Sequence, residues 1–315
     1  MLTLLKLLKD GRFHSGQALG AALGVSRSAV WKQLQHLESD LNLSIHKVRG
    51  RGYQLAAPLE LLELDQLAAS PWPVAISHSL DSTNAEALRA VDRGVTAPFV
   101  ILAERQIAGR GRRGRKWVSP FAENIYYSLV LRMDGGMRQL EGLSLVVGLA
   151  VLSALRAVGV SDAGLKWPND VLVSNKKIAG ILLELVGDPA DVCHVVLGIG
   201  INVNMRVASE VDQAWTSVFL ESGVATNRNE LVSKLSDSLR MYLKRHEVSG
   251  FSAIQSEWEQ NHLWQGREVS LIAGVHQVNG TVMGIDRQGA LRMSVNGEEK
   301  VFSGGELSLR LRDDS

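Results

Sequence analysis

Between Gly109 and Lys116 the chain reads Gly-Arg-Gly-Arg-Arg-Gly-Arg-Lys: five cations (Arg110, Arg112, Arg113, Arg115 and Lys116) on a backbone broken by three glycines and free of acids. Guanidinium forks match a phosphate or carboxylate in bidentate fashion, and glycines let backbone N–H groups approach such a ligand. The spacing Gly109-x-Gly111-x-x-Gly114 formally satisfies the dinucleotide fingerprint. However, Arg115 to Pro120 do not open an amphipathic helix, and no acid follows at the usual distance in a second βαβ unit. A basic octamer can also be a nucleic-acid patch or a solvated loop, and for a bare charge run the solvated loop is the default. The regular glycine interleaving favours a loop that closes over an anionic ligand.

Other polar clusters lie further along the chain. Lys166-Trp167-Pro168-Asn169-Asp170 reads alone as a polar turn in which Lys166 and Asp170 form a structural ion pair. Gly198-Ile199-Gly200-Ile201-Asn202 is a glycine-rich strand end, and Lys177 stands beside the solvated Lys176. Ser82, Thr83 and Asn84 follow Asp81 and are equally suited to capping a helix and to binding a ligand. The single Cys193 cannot form an intramolecular disulfide, and Val192-Cys193-His194-Val195-Val196 reads as a buried strand in which the thiol is a small hydrophobe.

The elements that must position these groups fall into three stretches. Ser15 can cap a helix through Leu23, Gly24 breaks it, and Ser26 can cap a second helix through Leu37. On that second helix Val30, Leu34 and Leu37 share one side, while Arg27, Ser28, Trp31, Lys32 and Gln35 occupy the other, as a major-groove recognition helix requires. His46 to Leu55, with Lys47, Arg49 and Arg51, reads as a basic β-wing turning at Gly50. Residues 1–55 hold eight Lys/Arg against three acids in a chain whose net charge is only +1, so this end suits a polyanion. The bland alternative is a small helical interaction domain.

Pro58, Pro71 and Pro73 bracket a leucine-rich acidic connector over 59–67. Beyond it, strands at 74–78, 99–103, 125–131, 171–173, 178–185 and 192–201 mix with helices near 84–91, 141–158 and 228–260, without strict βαβ alternation. From Arg267 short strands with turns at Asn279-Gly280, Asp286 to Gly289 and Asn296-Gly297 predict a small all-β barrel. The expected fold is α+β, divided into 1–62, 63–265 and 266–315. The apolar stretch Leu143 to Val160 contains Ser144, Ser153 and Arg156 and is read as a core helix, and no signal segment opens the chain, so a cytoplasmic protein is expected.

In the order in which they occur, Asp81 to Asn84, Gln106 with Gly109 to Trp117, Lys166 to Asp170, Lys177 to Glu184 and Gly198 to Asn202 resemble the biotin-protein ligases nearly end to end. With Phe13 to Gly16 and Trp31-Lys32 placed before them, the resemblance is to the bifunctional members that also repress the biotin operon. It implies an N-terminal winged helix-turn-helix, a central ligase domain with a mixed sheet and a C-terminal SH3-like barrel. The implied chemistry is attack of the biotin carboxylate on ATP, with Mg²⁺, to give biotinyl-5'-AMP, followed by transfer to a lysine of the biotin carboxyl carrier protein of acetyl-CoA carboxylase.

By the same resemblance Ser82, Thr83, Asn84, Gln106, Arg110, Gly111, Arg112 and Lys177 contact biotin, Arg112 and Lys177 acting in catalysis. Gly109, Arg113, Gly114, Trp117, Lys166, Asn169, Asp170, Asn202, Trp215 and Arg310 lie on the nucleotide side. Arg27, Ser28, Trp31, Lys32, Gln35, Lys47, Arg49 and Arg51 face operator DNA, engaged by a liganded homodimer with biotinyl-5'-AMP as corepressor. No metal ligands can be assigned. Ile107 departs from the polar residue expected beside Gln106. The alternatives are a ligand-sensing repressor without ligase activity, a ligase that has lost operator control, and a lipoate or octanoate ligase, which would lack the arginine-glycine loop.

Overall fold

The structure is a computed structural model that describes residues 2–134, 136–188, 192–304 and 307–312. Two compact units are present, one comprising the chain to Leu62 together with Pro120–Ala122, the other Glu63–Ser119 and Glu123 onward.

The first unit contains α1 (Leu2–Leu8), α2 (Gly16–Leu23), α3 (Arg27–Leu41) and a hairpin of β1 (Ile45–Val48) and β2 (Gly52–Leu55). Ser15 and Ser26 cap α2 and α3 by accepting from the N–H groups of Ala18 and Ala29, and Gly24 closes α2 in the left-handed conformation. Helix α3 runs one turn beyond the expected Leu37 and ends at the left-handed Asn42. Val30, Leu34 and Leu37 are fully buried with Leu4, Leu8 and Leu19, and Phe121 and Ala122 join this core.

The second unit is built on a seven-stranded sheet. Its strands are β3 (Val74–Ser77), β4 (Phe99–Ala103), β5 (Ile125–Met133), β6 (Gly164–Lys166), β7 (Asp170–Val173), β8 (Lys176–Gly187) and β9 (Cys193–Ile201) in the order β3-β4-β5-β9-β8-β7-β6. Only β3 and β4 are parallel, so the sheet is mixed. The helices are α4 (Thr83–Asp92), α5 (Leu143–Arg156), α6 (Val218–Ser222), α7 (Arg228–Ser249) and α8 (Gln255–Gln260).

Strand alternation separates the two faces of the sheet. Tyr127, on one face, meets Ser236 of α7, while Ala87 and Ala90 of α4 pack against Val130 and Val196 on the other. Helix α4 covers only part of its face: Asn84 in its first turn lies over Ser128 and Gly198, while Gly180, Leu182 and Gly200 line a cavity beside it. Cys193 is buried and free, as read from its apolar strand. Among the described residues no helix is long and apolar enough to cross a membrane.

The remaining strands, β10 (Glu268–Ala273), β11 (His276–Ile285), β12 (Leu291–Val295), β13 (Glu298–Phe302) and β14 (Leu307–Leu311), form an antiparallel sheet in the order β13-β12-β11-β10-β14. Asn296-Gly297 turns between β12 and β13 with positive φ at both residues. The turn expected at Asn279-Gly280 is not there. Both residues lie inside β11, and the chain reverses at Gly274-Val275 instead. Gly280 is glycine because a Cβ would come 2.3 Å from the Ser294 carbonyl oxygen, a close backbone approach rather than a reversal.

Candidate active site

A cavity of about 320 Å³ opens over β5, β9 and β8, within the range of small-molecule sites. Its floor is glycine because side chains lie flat on it: a Cβ at Gly198 would sit 2.3 Å from Asn84 Oδ1, and one at Gly200 2.5 Å from the Trp117 ring. One end is neutral. Thr83 donates its backbone N–H (2.8 Å) and hydroxyl (3.1 Å) to Gln106 Oε1, and Gln106 donates to Ser119 Oγ at 3.1 Å. Ser128 Oγ lies 2.6 Å from Asn84 Oδ1 and 2.8 Å from Thr83 Oγ1. Ser82 precedes α4 but makes no side-chain cap, and lines the cavity, nearly buried.

The other end is cationic. In β8 the register with β7 passes from Ala179 opposite Val171 to Lys177 opposite Leu172, so Ile178 is the extra residue of a bulge. Without that bulge Lys177 would point away from Gly180; with it, Nζ reaches the cavity, 2.6 Å from Asp170 Oδ1 and 5.4 Å from the centre of the Trp117 ring. Lys166 Nζ stands 3.5 Å from Asp170 Oδ2 and 5.0 Å from the Trp264 ring. Burial alone would raise the Asp170 carboxyl, but the two lysines outweigh it and hold the group below the ordinary carboxylate range. Burial pushes the Lys166 ammonium down, with Asp170 opposing only in part.

The basic loop is a short self-paired hairpin in which Gly111 N–H donates to Arg115 O at 2.7 Å and Trp117 N–H to Gly109 O at 2.9 Å. Arg112 reaches Asn169 Oδ1 at 3.0 Å, and Asn169 is itself braced by donating to Ile181 O at 2.7 Å. Arg113 takes positive φ, with Gly114 beside it. Lys116 pairs with Glu210 at 2.5 Å, and Glu210 to Gln213 form part of the cavity lining. A smaller recess beside Trp117 and Lys177 is lined by Asn202 and Trp215, and Asn202 donates to Thr216 O at 3.0 Å.

Most residues expected at a site are thus brought to one place. Gly109 is set behind the loop, where a Cβ would meet Trp117 O at 2.6 Å. From β14 it is Leu307, Ser308 and Leu309 that line the cavity; Arg310 is exposed on that strand, near enough to disfavour the charge on Lys166. Sequence reasoning missed Ser128 and gave no role to Glu184, which accepts from Asn84. A single small polar residue among the aliphatic and aromatic side chains of Ile125 to Leu131 was the available signal for Ser128. In the first unit Arg27, Ser28, Trp31, Lys32, Gln35, Lys47, Arg49 and Arg51 are all exposed, with Lys47 paired to Glu38 at 2.6 Å and Arg51 over the Phe13 ring at 4.1 Å.

A neutral pocket that runs into a cluster of lysines and arginines suits a ligase that activates a small carboxylate with a nucleotide. Comparison with known proteins makes the class specific. Residues 77–202 match the biotin/lipoate A/B protein ligase family, and residues 1–54 match a helix-turn-helix domain. The chain is 41% identical over 313 residues to the bifunctional ligase/repressor BirA of Salmonella typhimurium, covering 98% of this chain and 97% of that protein. The Escherichia coli counterpart is 40% identical with the same coverage. The biotin protein ligase of Aquifex aeolicus, solved with biotin and ATP, superposes with a TM-score of 0.67 at 31% identity, covering 76% of this chain and 99% of that one. The chain belongs to the biotin-protein ligase family, among its bifunctional ligase/repressors.

Proposed function

We propose that this protein joins biotin to the biotin carboxyl carrier protein of acetyl-CoA carboxylase, and that the biotinyl-5'-AMP it forms and holds is the corepressor with which a homodimer binds operator DNA. In the first half-reaction a biotin carboxylate oxygen attacks the α-phosphorus of ATP and the bond to pyrophosphate breaks. In the second, a carrier lysine amine attacks the acyl carbon of the adenylate, losing a proton as AMP departs. Both partners of the first step are anions, so fixed cations lower its barrier more than any acid or base would. Lys177, held by Asp170 and the bulge at Ile178, and Arg112, held by Asn169, are suited to this. Ser82, Thr83 and Gln106 offer neutral hydrogen bonds suited to an uncharged ureido ring.

Among the described residues no three His, Cys, Asp or Glu side chains converge as a metal cage, and Asp170 is already taken by two lysines. The described residues do not fit a resident metal, and Mg²⁺ is assigned to the nucleotide, as part of the substrate. For operator binding the supporting observation is the exposed basic and aromatic face of α3. The three-domain division at 62 and 265 is retained as part of this reading.

The observation that carries the reading is the meeting of Arg112, Lys166, Asp170 and Lys177 on one glycine-floored cavity. The test is the mass of a carrier domain incubated with the protein, biotin and MgATP. A gain of one biotinyl group on one lysine is expected; an unmodified carrier, with biotin bound to the protein, would make the chain a ligand-sensing repressor.

A further inference from the structure

Glu184 stands on β8 two residues beyond the cavity-lining Leu182, on the same face of the strand. Its Oε2 accepts from Asn84 Nδ2 at 2.7 Å, and its Oε1 accepts from the Arg110 guanidinium at 3.3 Å. One carboxylate therefore joins the wall of the cavity to the first arginine of the basic loop. We propose that Glu184 is a positioning residue for the ligase reaction, setting the register in which the basic loop closes over the neutral end of the cavity. This rests on the biotin reading above.

Three features support the assignment. An ionised carboxylate can only accept hydrogen bonds, so it turns the Asn84 amide with Nδ2 toward itself and Oδ1 toward Ser128. Asn84 Nδ2 also lies 3.4 Å from Leu182 O, and with both ends of the amide engaged Asn84 braces the wall, leaving ligand contact at this end to Ser82, Thr83 and Gln106. Second, Arg110 is half exposed and its hydrogen bond to Glu184 is long, a pair of the kind weak enough to open when a ligand enters. Third, the side-chain partners of Glu184 are Asn84 and Arg110, both of which line the cavity, so its influence on a ligand is exerted through them. Loop closure is an equilibrium settled before chemistry, and a change in it appears in apparent affinity.

Two variants of the full chain separate the roles. Glu184→Gln keeps an acceptor for Asn84 and removes the charge that holds Arg110; Glu184→Ala removes both. With no ligand present, trypsin should cut after the arginines of the 110–115 segment about fivefold faster in Glu184→Gln than in the unaltered protein, the loss expected for one exposed ion pair. In steady state the same variant should show a severalfold higher KM for biotin with kcat unchanged and an unaltered melting temperature. In an Arg110→Ala background, where the guanidinium that Glu184 holds is already gone, Glu184→Gln should change KM no further. Unchanged cleavage and KM would overturn the proposal, as would a fall in kcat together with melting temperature, which would make Glu184 merely structural. Were the unaltered protein to bind no biotin, the functional reading would fail, and the ligand-free cleavage rates would still decide whether Glu184 holds the loop.

Discussion

A methyl group added at position 198 would lie 2.3 Å from Asn84 Oδ1, a separation that real Cβ atoms do not tolerate. Gly198→Ala should therefore displace Asn84 and lower biotin affinity at least about tenfold, a cost of about 1.4 kcal/mol, read by isothermal titration without ATP. Lys177→Met tests the other end. Losing one preorganised donor typically costs about 2.7–4 kcal/mol of barrier, so pyrophosphate release should slow by about 10² to 10³ while biotin still binds. The arginines of the basic loop were legible because glycines interleave them regularly, whereas Lys166 and Lys177 read alone as an ion-pair partner and a solvated lysine and were picked out only by the resemblance across separate segments. Ser128 and Glu184 were not, since one hydroxyl or carboxylate in a strand gains meaning only from the face it takes and from Asn84 beyond it.

At the scale of elements, the junction of β6 with the segment after α8 carries a buried imidazole. His262 stacks on Trp258 at 4.7 Å between ring centroids, and burial pushes its pKa down to about 4 from 6.5, with Gln265 opposing only in part. On acidification the unfolded chain takes up the proton first. The stabilising contribution is therefore intact above about pH 6.5 and is lost as pH falls toward 4, at most about 3 kcal/mol at 1.36 kcal/mol per pKa unit. Urea unfolding at pH 7 and pH 4.5 should show this loss, and His262→Phe should reduce it; an equal loss in both proteins would remove His262 as the cause.

Element existence was well marked by apolar runs and by the caps Ser15 and Ser26. The turns were less so. Asn-Gly at 279–280 carries the strongest short hairpin signal and yet lies mid-strand, because the facing Ser294 carbonyl needs the space. The bulge at Ile178, which aims Lys177, had no local mark, since it arises from pairing with β7.

On the scale of the whole molecule, one chain joins a unit built to meet a polyanion to a unit built to hold two small ones. Lys32→Ala should weaken operator binding and lower the slope of log affinity against log salt by about 0.9 for each phosphate that is no longer neutralised. Carrier biotinylation should be unaffected. Fluorescence anisotropy over a salt series reads the first and carrier mass the second; a full slope with weakened binding would assign Lys32 to a base edge instead. The membership of Pro120–Ala122 in the first unit could not be read from sequence, because Phe121 joins a core built from residues between Leu4 and Leu61, far upstream of it. The most direct measurement is a single turnover: the protein in excess over biotin, with MgATP, quenched and separated after gel filtration. Biotinyl-5'-AMP should travel with the protein and disappear when a carrier domain is added, and Arg112→Ala should lose the intermediate rapidly to solvent. Biotin recovered unchanged from the complex, with no pyrophosphate released, would contradict it.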